Sequence, residues 1–464
     1  MPSKSSDKGR MIGLLQDGKV KIVVMGLGRI GLPTAALFAK AGAKVTGVDV
    51  RREIVDETNA GRSSLVDEPG LAEVIKTAVD SGNLRATLTP NEAIPVADFV
   101  IICVPTPVDE TKTPDYSAVE KASRTVGVSL RKGTIVIVES TIGPGVAEEM
   151  VLPILESESK LKAGKDFGLV SCPERSDPGN IVANMRTVPR IVGGLTREST
   201  AAVAALYESA FGVKTVRLSD PKTANAVKLT ENLFRDVNIA LANEFALLYE
   251  KLGVDAIEVI NACASKYNFM PHYPGAGVGG PCLPSNSYYL ISEGIKAGNI
   301  PYMIRMAREI NDRMPDHVVE LVGEALNEAG KTIRGSRISV LGVAYKPNVR
   351  DSQLTPIERV VGRLKEMGAL VEIYDPMFKG ERIFGLKVKA SLASAVNKSD
   401  CIVVGTAHDE FKHLDLKGIA ERMRTRPSFV DARNVVTLAE ATEAGFAFRG
   451  VGRKTAGTRA GQDQ

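Results

Sequence analysis

The 464-residue chain reads as an α/β protein of two doubly wound parallel-sheet units joined by a long helical segment. Three observations predict this. Short apolar strand runs alternate with helical stretches through the N-terminal part, which implies parallel strands with helical crossovers. A glycine-rich turn at residues 26–31 joins the first strand to the first helix. The same strand–turn–helix order returns at Arg337, after a stretch from 220 to 263 that carries no strand signal.

Bulk composition narrows the function classes. Hydrophobic residues at 44% and charged residues at 25% exclude wholesale disorder. The 59 basic and 55 acidic residues leave a net charge of +4, spread along the chain. No nucleic-acid or membrane-surface partner is expected from such a balance. No uncharged apolar run approaches the roughly 18 residues of a membrane span, and the patch at 11–15 is too short for a signal peptide. Five cysteines are too few and too odd for a disulfide framework, so a reducing, cytoplasmic setting is expected. No metal site is expected.

The elements follow in order. Residues 1–18 are polar and read as a mobile extension. The first α/β unit, 19–216, opens with a strand at 22–25, the glycine turn, a helix at 32–41 closed by Gly42, and a strand at 44–50. Further strand runs at 99–104, 134–138 and 169–172 end in Pro105, Glu139 and Pro173. The central segment, 217–325, begins with one long helical pattern over 220–263. Its apolar positions Val227, Phe234, Val237, Leu241, Phe245 and Leu248 recur every three or four residues. Such a helix connects domains or packs against a partner subunit. A glycine- and proline-rich loop at 274–284 interrupts it, and helix resumes near Ser287. The second α/β unit spans 326–453, where 399–410 parallels 97–110 in pattern, and 454–464 reads as a mobile tail.

Gly26, Gly28 and Gly31 form G-x-G-x-x-G between a strand and a helix. In that context the first glycine permits the tight turn, the second lets backbone approach a pyrophosphate, and the third allows close helix–strand packing. Asp49 follows 18 residues later at a strand end, where a carboxylate accepts ribose hydroxyls and repels a 2′-phosphate. NAD is therefore expected, with Arg51 and Arg52 leaving room for NADP. The second unit has only Gly342 in its first turn and carries Tyr345 and Lys346 where glycines would be needed. A mononucleotide or nucleotide-sugar suits that turn better than a dinucleotide, with Lys346 for phosphate; a solvated turn lysine is the alternative.

The cysteines divide by context. Cys103, Cys172 and Cys401 lie in or beside apolar strand runs and Cys263 lies in helical sequence, so all four are expected to be buried and inert. Cys282 lies in PGAGVGGPCLPSN, a loop that builds no core, which suits an accessible nucleophile. Such a thiol can trap an aldehyde as a thiohemiacetal, pass through a thioester and release an acid. Lys228 and Asn232 share one helix face and could hold a developing alkoxide; a solvated polar face is the other reading. Glu231, Arg235, Asn238, Asn243 and Glu244 make that helix unusually polar. Glu174, in CPERSDPGN after a strand, is a candidate acid or base, or an ordinary loop carboxylate.

The stretches GLGRIGLPTA, ICVPTP, ESTIGPG, CPERSDPGN, KLTENLFRDVNIALANE, PGAGVGGPC and LGVAYKPNVRD with its following YDP carry a resemblance. In order and spacing they resemble the UDP-glucose/GDP-mannose dehydrogenase family from residue 21 to about 449. The resemblance implies a Rossmann-like NAD domain, a helical dimerisation segment and a Rossmann-like nucleotide-sugar domain. It implies oxidation of a sugar C6 hydroxyl to a carboxylate by two hydride transfers to NAD. CPER…PGN and ENLFRDVNIALANE resemble the UDP-N-acetylhexosamine branch. UDP-N-acetylmannosamine is thus the first expectation, with UDP-N-acetylglucosamine, UDP-N-acetylgalactosamine and UDP-glucose as alternatives.

By position, the family pattern implies Cys282 as nucleophile, Lys228 and Asn232 on the C6 oxygen, Glu174 in thioester turnover and Thr141 placing a water. It implies cofactor contacts from Gly26, Gly28, Arg29, Ile30, Gly31, Asp49, Val104, Pro105, Thr106 and Thr141. Substrate contacts fall to Glu174, Arg175, Lys228, Asn232, Arg235, Tyr273, Gly275, Gly277, Gly279, Tyr345 and Lys346. Three positions depart from the pattern. Asn286 stands where the family usually has Asp, Pro281 precedes the nucleophile where His or Ser is common, and Gln353 replaces an arginine. These bear on substrate identity and thioester hydrolysis, and they leave a weakly active nucleotide-sugar-binding homologue as the alternative. A homodimer through the central helix is the expected assembly.

Overall fold

The strand runs are short and apolar because each strand lies in a sheet covered on both faces. The computed structural model describes residues 4–63, 65 and 67–454. The chain divides into two compact units, 1–231 with 288–299, and 232–287 with 300–464. The central segment expected at 217–325 is divided between these two units.

In the first unit, β1 (Lys21–Met25), β2 (Lys44–Val48), β3 (Leu84–Thr87), β4 (Phe99–Ile102), β5 (Ile135–Val138), β6 (Gly168–Ser171), β7 (Arg190–Gly194) and β8 (Thr215–Leu218) form one sheet. Their spatial order is β3-β2-β1-β4-β5-β6-β7-β8, and all neighbours are parallel except β6 and β7. Strand order reverses between β1 and β4, so the crevice beyond their carboxyl ends is where such a sheet binds ligands. The helix Gly31–Lys40, rich in alanine and nearly all buried, packs behind that crevice.

The N-terminal expectation is corrected here. Residues 4–16 form a helix, and Leu15 is buried in the main apolar cluster of the first unit. The helix packs against Arg197–Phe211, with Ser209 Oγ donating to the Lys8 carbonyl at 3.3 Å. A few apolar residues among polar ones suffice when a neighbouring helix offers an apolar groove. The tail at 455–464 lies outside the described residues.

In the second unit, β9 (Arg337–Leu341), β10 (Leu370–Tyr374), β13 (Cys401–Val404), β14 (Ser428–Asp431) and β15 (Ala447–Gly450) form a parallel sheet in the order β10-β9-β13-β14-β15. A small hairpin, β11 (Arg382–Ile383) and β12 (Leu386–Lys387), forms a separate two-stranded sheet that is bridged to β10 through Val388 and Ile373. The reversal between β9 and β13 repeats the switch of the first unit.

The pattern read as one helix over 220–263 is two helices, Pro221–Leu252 and Ala256–Cys263. Asp255 caps the second, accepting from the Ile257 and Glu258 N–H groups. The long helix buries polar residues beside apolar ones such as Leu229, Leu233 and Ala246. Its polar stripe of Asn225, Lys228, Asn232, Asp236 and Asn243 is buried. Its apolar residues Phe234, Leu241 and Leu248 are 48%, 44% and 51% exposed.

His317 ties this helix to Tyr302–Glu328. Its ring sits between Glu250, at 2.9 Å, and Glu320, at 3.4 Å. Burial opposes a charge there, but the two carboxylates outweigh it and raise the pKa above the ordinary histidine value. Stabilisation from the charged ring is therefore complete below the unfolded pKa of about 6.5 and is lost as pH rises through the higher folded value. H317Q is expected to lower the Tm at about pH 6 and to match the parent at about pH 9. An equal deficit in thermal melts at both pH values would refute this account.

Candidate functional site

In the first unit the glycine turn follows β1 directly. Gly26 has φ +96°, and a Cβ there would collide with the Cys103 carbonyl; one on Gly31 would collide with the Gly26 carbonyl. Gly28 differs, having nothing within 4 Å of its Cβ position. Two glycines are thus required by packing, and the third leaves backbone uncovered where a pyrophosphate would meet a helix N-terminus. Ile30 holds the N-cap position of that helix. Asp49, one residue past β2, accepts from the Leu27 N–H at 2.9 Å and from the Arg51 N–H at 3.0 Å. The Arg51 side chain turns back onto the same carboxylate at 3.4 Å. These residues fit a dinucleotide.

Arg29 sits between Asp67 and Glu68, at 3.0 and 3.1 Å. The buried Glu68 carboxylate in turn accepts from the Gly179 and Ile181 N–H groups, at 2.9 and 3.0 Å. Arg29 therefore braces two segments of the unit in addition to lying in the turn. Across the crevice, Ser140 Oγ accepts from the Val104 N–H at 2.9 Å and donates to its carbonyl at 2.7 Å. Thr106 Oγ1 donates to the Thr141 carbonyl at 2.8 Å. The 104–106 and 140–141 segments are thereby laced together beyond β4 and β5, with Pro105 exposed between them.

Glu174 follows β6 and is fully engaged. One oxygen accepts from the Arg175 N–H at 2.8 Å, the Ser176 N–H at 2.7 Å and Ser176 Oγ at 2.5 Å. The other pairs with Arg190. Arg190 is 2% exposed and also pairs with Glu139, which accepts from Tyr207 at 2.7 Å and from Thr34 at 3.2 Å. The guanidinium lies 4.6 Å from the centre of the Tyr207 ring. Arg175 binds Glu231 through Nε at 2.9 Å and reaches the Pro189 carbonyl at 2.6 Å.

In the second unit Cys282 is exposed and immediately precedes the helix Leu283–Lys296, accepting the first helical bond from the Asn286 N–H at 2.9 Å. A residue at this position lies at the N-terminal end of the helix, where the helix dipole favours negative charge. Helix therefore starts earlier than the expected Ser287. Asn232 Nδ2 donates to Asn286 Oδ1 at 2.5 Å, so Asn286 supplies the acceptor that an Asp would supply, without its charge. One turn along the long helix, Asp236 receives Arg308 at 2.7 Å, Ser287 Oγ at 2.8 Å and Asn311 at 2.8 Å. Asn311 also accepts from Asn243, which holds the Gly275 N–H at 2.9 Å.

The loop glycines are close-packed. A Cβ would lie 2.7 Å from the Arg433 guanidinium at Gly275, 2.7 Å from the Asn311 carbonyl at Gly277, 2.8 Å from the Leu354 carbonyl at Gly279 and 2.6 Å from the Tyr345 ring at Gly280. Tyr345 and Lys346 are half-buried. The exposed Gln353 contributes its backbone, accepting from the Gly280 N–H at 3.1 Å. Two expected substrate residues stand apart from this arrangement. Arg235 is exposed, and Tyr273 is exposed and donates to Asn261 at 2.8 Å.

The other cysteines are sorted by burial. It pushes the Cys172 and Cys401 thiols up, and that of Cys103 as well, which was expected to be buried and is half-buried. Cys263, expected to be buried, is exposed, because it is the last residue of its helix. Among the described residues no group of three or more His, Cys, Asp or Glu is placed to hold a metal. Among them no helix is long and apolar enough to cross a membrane.

Sequence reasoning missed Arg190, Asp236, Arg308 and Arg433. Arg190 heads an apolar strand run, and a charge there was a usable signal. Asp236 continues the Lys228–Asn232 spacing by one more turn. Arg433 follows β14, and burial pulls its pKa down to about 10 in spite of Asp431.

Three family models cover most of the chain. They are the UDP-glucose/GDP-mannose dehydrogenase family NAD binding domain over 20–211, central domain over 222–313 and UDP binding domain over 339–438. The chain is 38% identical to a UDP-N-acetyl-D-mannosamine dehydrogenase of Pyrococcus horikoshii, over 94% of this chain and 99% of that one. It is 34% identical to a UDP-N-acetyl-D-glucosamine 6-dehydrogenase of Salmonella typhi, over 87% and 94%. A solved UDP-D-ManNAc dehydrogenase from Pyrococcus horikoshii superposes with a TM-score of 0.87 at 38% identity, over 94% of this chain and 100% of that one.

Exposure generates a direct test of the cysteine assignments. Iodoacetamide is expected to label Cys263 and Cys282 fastest in the native protein, half-buried Cys103 more slowly, and Cys172 and Cys401 only in denaturant, as read by peptide mass spectrometry. Labelling of a strand cysteine at the same rate as Cys282 would contradict the burial described.

Proposed function

The chain belongs to the UDP-glucose/GDP-mannose dehydrogenase family, and from that premise we propose that it oxidises the C6 hydroxyl of a UDP-N-acetylhexosamine to the uronic acid. It is an NAD-dependent UDP-sugar dehydrogenase. UDP-N-acetylmannosamine is the substrate we favour, on the names carried by its relatives. Epimers differ by single hydroxyl contacts, so UDP-N-acetylglucosamine is the nearest competitor. The product is a precursor for polysaccharide or other glycans.

One observation carries the four-electron reading. The Cys282 thiol is exposed at the mouth of a glycine loop and at a helix N-terminus, which suits a nucleophile rather than a core residue. NAD, when bound along Gly26, Gly28, Gly31 and Asp49, supplies the hydride acceptor for each of two oxidations. Lys228 and Asn232, buried on one face of the long helix, hold the C6 oxygen. The sulfur of Cys282 adds to the aldehyde carbon, and the thiohemiacetal becomes a thioester on loss of the second hydride. Water then cleaves the C–S bond, returning the thiol and releasing the carboxylate. Glu174, oriented by Arg190, and Thr141 assist this last step. Asn286 retains an orienting role for Asn232 and moves no proton.

We also propose a homodimer in which the exposed apolar stripe of the long helix packs on a second copy. The reading places the enzyme in the cytoplasm, where its five cysteines stay reduced.

Two outcomes test these points. The parent is expected to form two NADH per UDP-N-acetylmannosamine consumed, and C282A is expected to lose acid formation by about a thousandfold or more. One NADH per sugar with aldehyde release would reject the covalent route, and tight UDP-sugar binding without NADH would favour the binding homologue. The double substitution of Leu241 and Leu248 to Glu is expected to halve the particle mass in light scattering; an unchanged mass would place the dimer contact elsewhere.

A further inference from the structure

We infer that His408 is a positioning residue that holds the 345–353 loop in its nucleotide-sugar-binding shape. This rests on the reading of that loop as part of the substrate site. His408 follows β13, at the switch point of the second unit, and is fully buried, so it acts through its neighbours and not on a ligand.

The ring has two defined partners. Its Nδ1 accepts from the Asn348 N–H at 2.9 Å, and its Nε2 lies 2.9 Å from Asp375 Oδ2. An Nδ1 that accepts carries no proton, so Nε2–H donates to Asp375. The same Asp375 oxygen accepts from the Val343 and Ala344 N–H groups, at 2.7 and 3.0 Å, and its partner oxygen accepts from Met377 at 2.8 Å. Burial opposes the carboxylate charge, but these donors hold its pKa below the usual range. Asp375 thus fixes both the turn after β9 and the His408 ring.

The loop needs such an anchor. Asn348 has φ +59°, a left-handed conformation that asparagine enters more readily than most residues but that still needs neighbours to hold it. Its side chain pairs with Asp409 through two hydrogen bonds, of 2.8 and 3.2 Å. The Tyr345 N–H closes the loop on the Asp351 carbonyl at 3.1 Å. Beyond it, the Tyr345 ring covers Gly280 and the Gln353 carbonyl holds the Gly280 N–H. The loop therefore lies between the His408–Asp375 pair and the strand of glycines that leads to Cys282.

Two variants separate the two halves of the ring. H408N keeps an acceptor near the Nδ1 position, and H408Q keeps a donor near the Nε2 position. The experiment measures kcat and KM for UDP-sugar and for NAD, with calorimetric binding of UDP and thermal melts as folding controls. H408Q is expected to raise the UDP-sugar KM and the UDP Kd by about tenfold, with kcat and the NAD KM within about twofold of the parent. H408N is expected to stay within about threefold in every constant. An H408Q variant with unchanged UDP-sugar KM and UDP Kd would overturn the inference. So would equal losses in both variants that track a lowered Tm. If the parent protein itself neither binds UDP nor forms NADH with any UDP-hexose, the proposed function fails and the inference falls with it.

Discussion

A buried ion pair organises the second unit. Asp236 and Arg308 meet at 2.7 Å with both side chains nearly inaccessible to water. Removing one partner of such a pair costs about 3–5 kcal/mol, because the other is left charged and unsolvated. Such a pair is more tolerable when its other hydrogen-bonding positions are filled; here Arg308 also pairs with Asp312, and Ser287 and Asn311 donate to the Asp236 carboxylate. Those two residues carry the constraint outward. Ser287 adjoins Asn286, which holds Asn232, and Asn311 holds Asn243, which holds the start of the cysteine loop. The placement of the candidate catalytic amides thus depends on a charge pair that touches no reacting atom.

The same constraint bears on the long helix. Beside its buried apolar residues Leu229, Leu233 and Ala246 it carries a polar stripe whose partners lie inside the protein, while Phe234, Leu241 and Leu248 remain exposed. Those three exposed apolar residues are the basis of the proposed dimer.

The two sheets share a plan and differ at one turn. In each, a carboxylate just beyond the second strand accepts the N–H of the residue after the turn glycine: Asp49 from Leu27 and Asp375 from Val343. In the first unit the turn stays open at Gly28. In the second, Asp375 takes a second backbone N–H and a histidine, and Tyr345 lies against Gly280. One backbone plan therefore presents bare N–H groups in one unit and an aromatic side chain with a lysine in the other.

Local chemistry was enough to read the glycine turn, Asp49, the alternation of strands and helices, and the isolation of Cys282 from any core, because each depends on residues close together in the chain. The break after Leu252, the packing of residues 4–16 and the exposure of Cys263 depend on what lies next to them in space, and periodicity alone read all three differently. Arg190 shows the limit most plainly: a charge heading an apolar strand marks it out, but its partners Glu139 and Glu174 lie beyond two other strands. By itself the sequence determined the two sheets, the cofactor turn and the placing of Cys282 in a loop outside any core, since short-range spacing governs them. Only the tertiary structure decided which face of the long helix is buried and how Asn286 is used. It also decided which charges are paired, because burial and pairing are set by contacts between residues far apart in the chain.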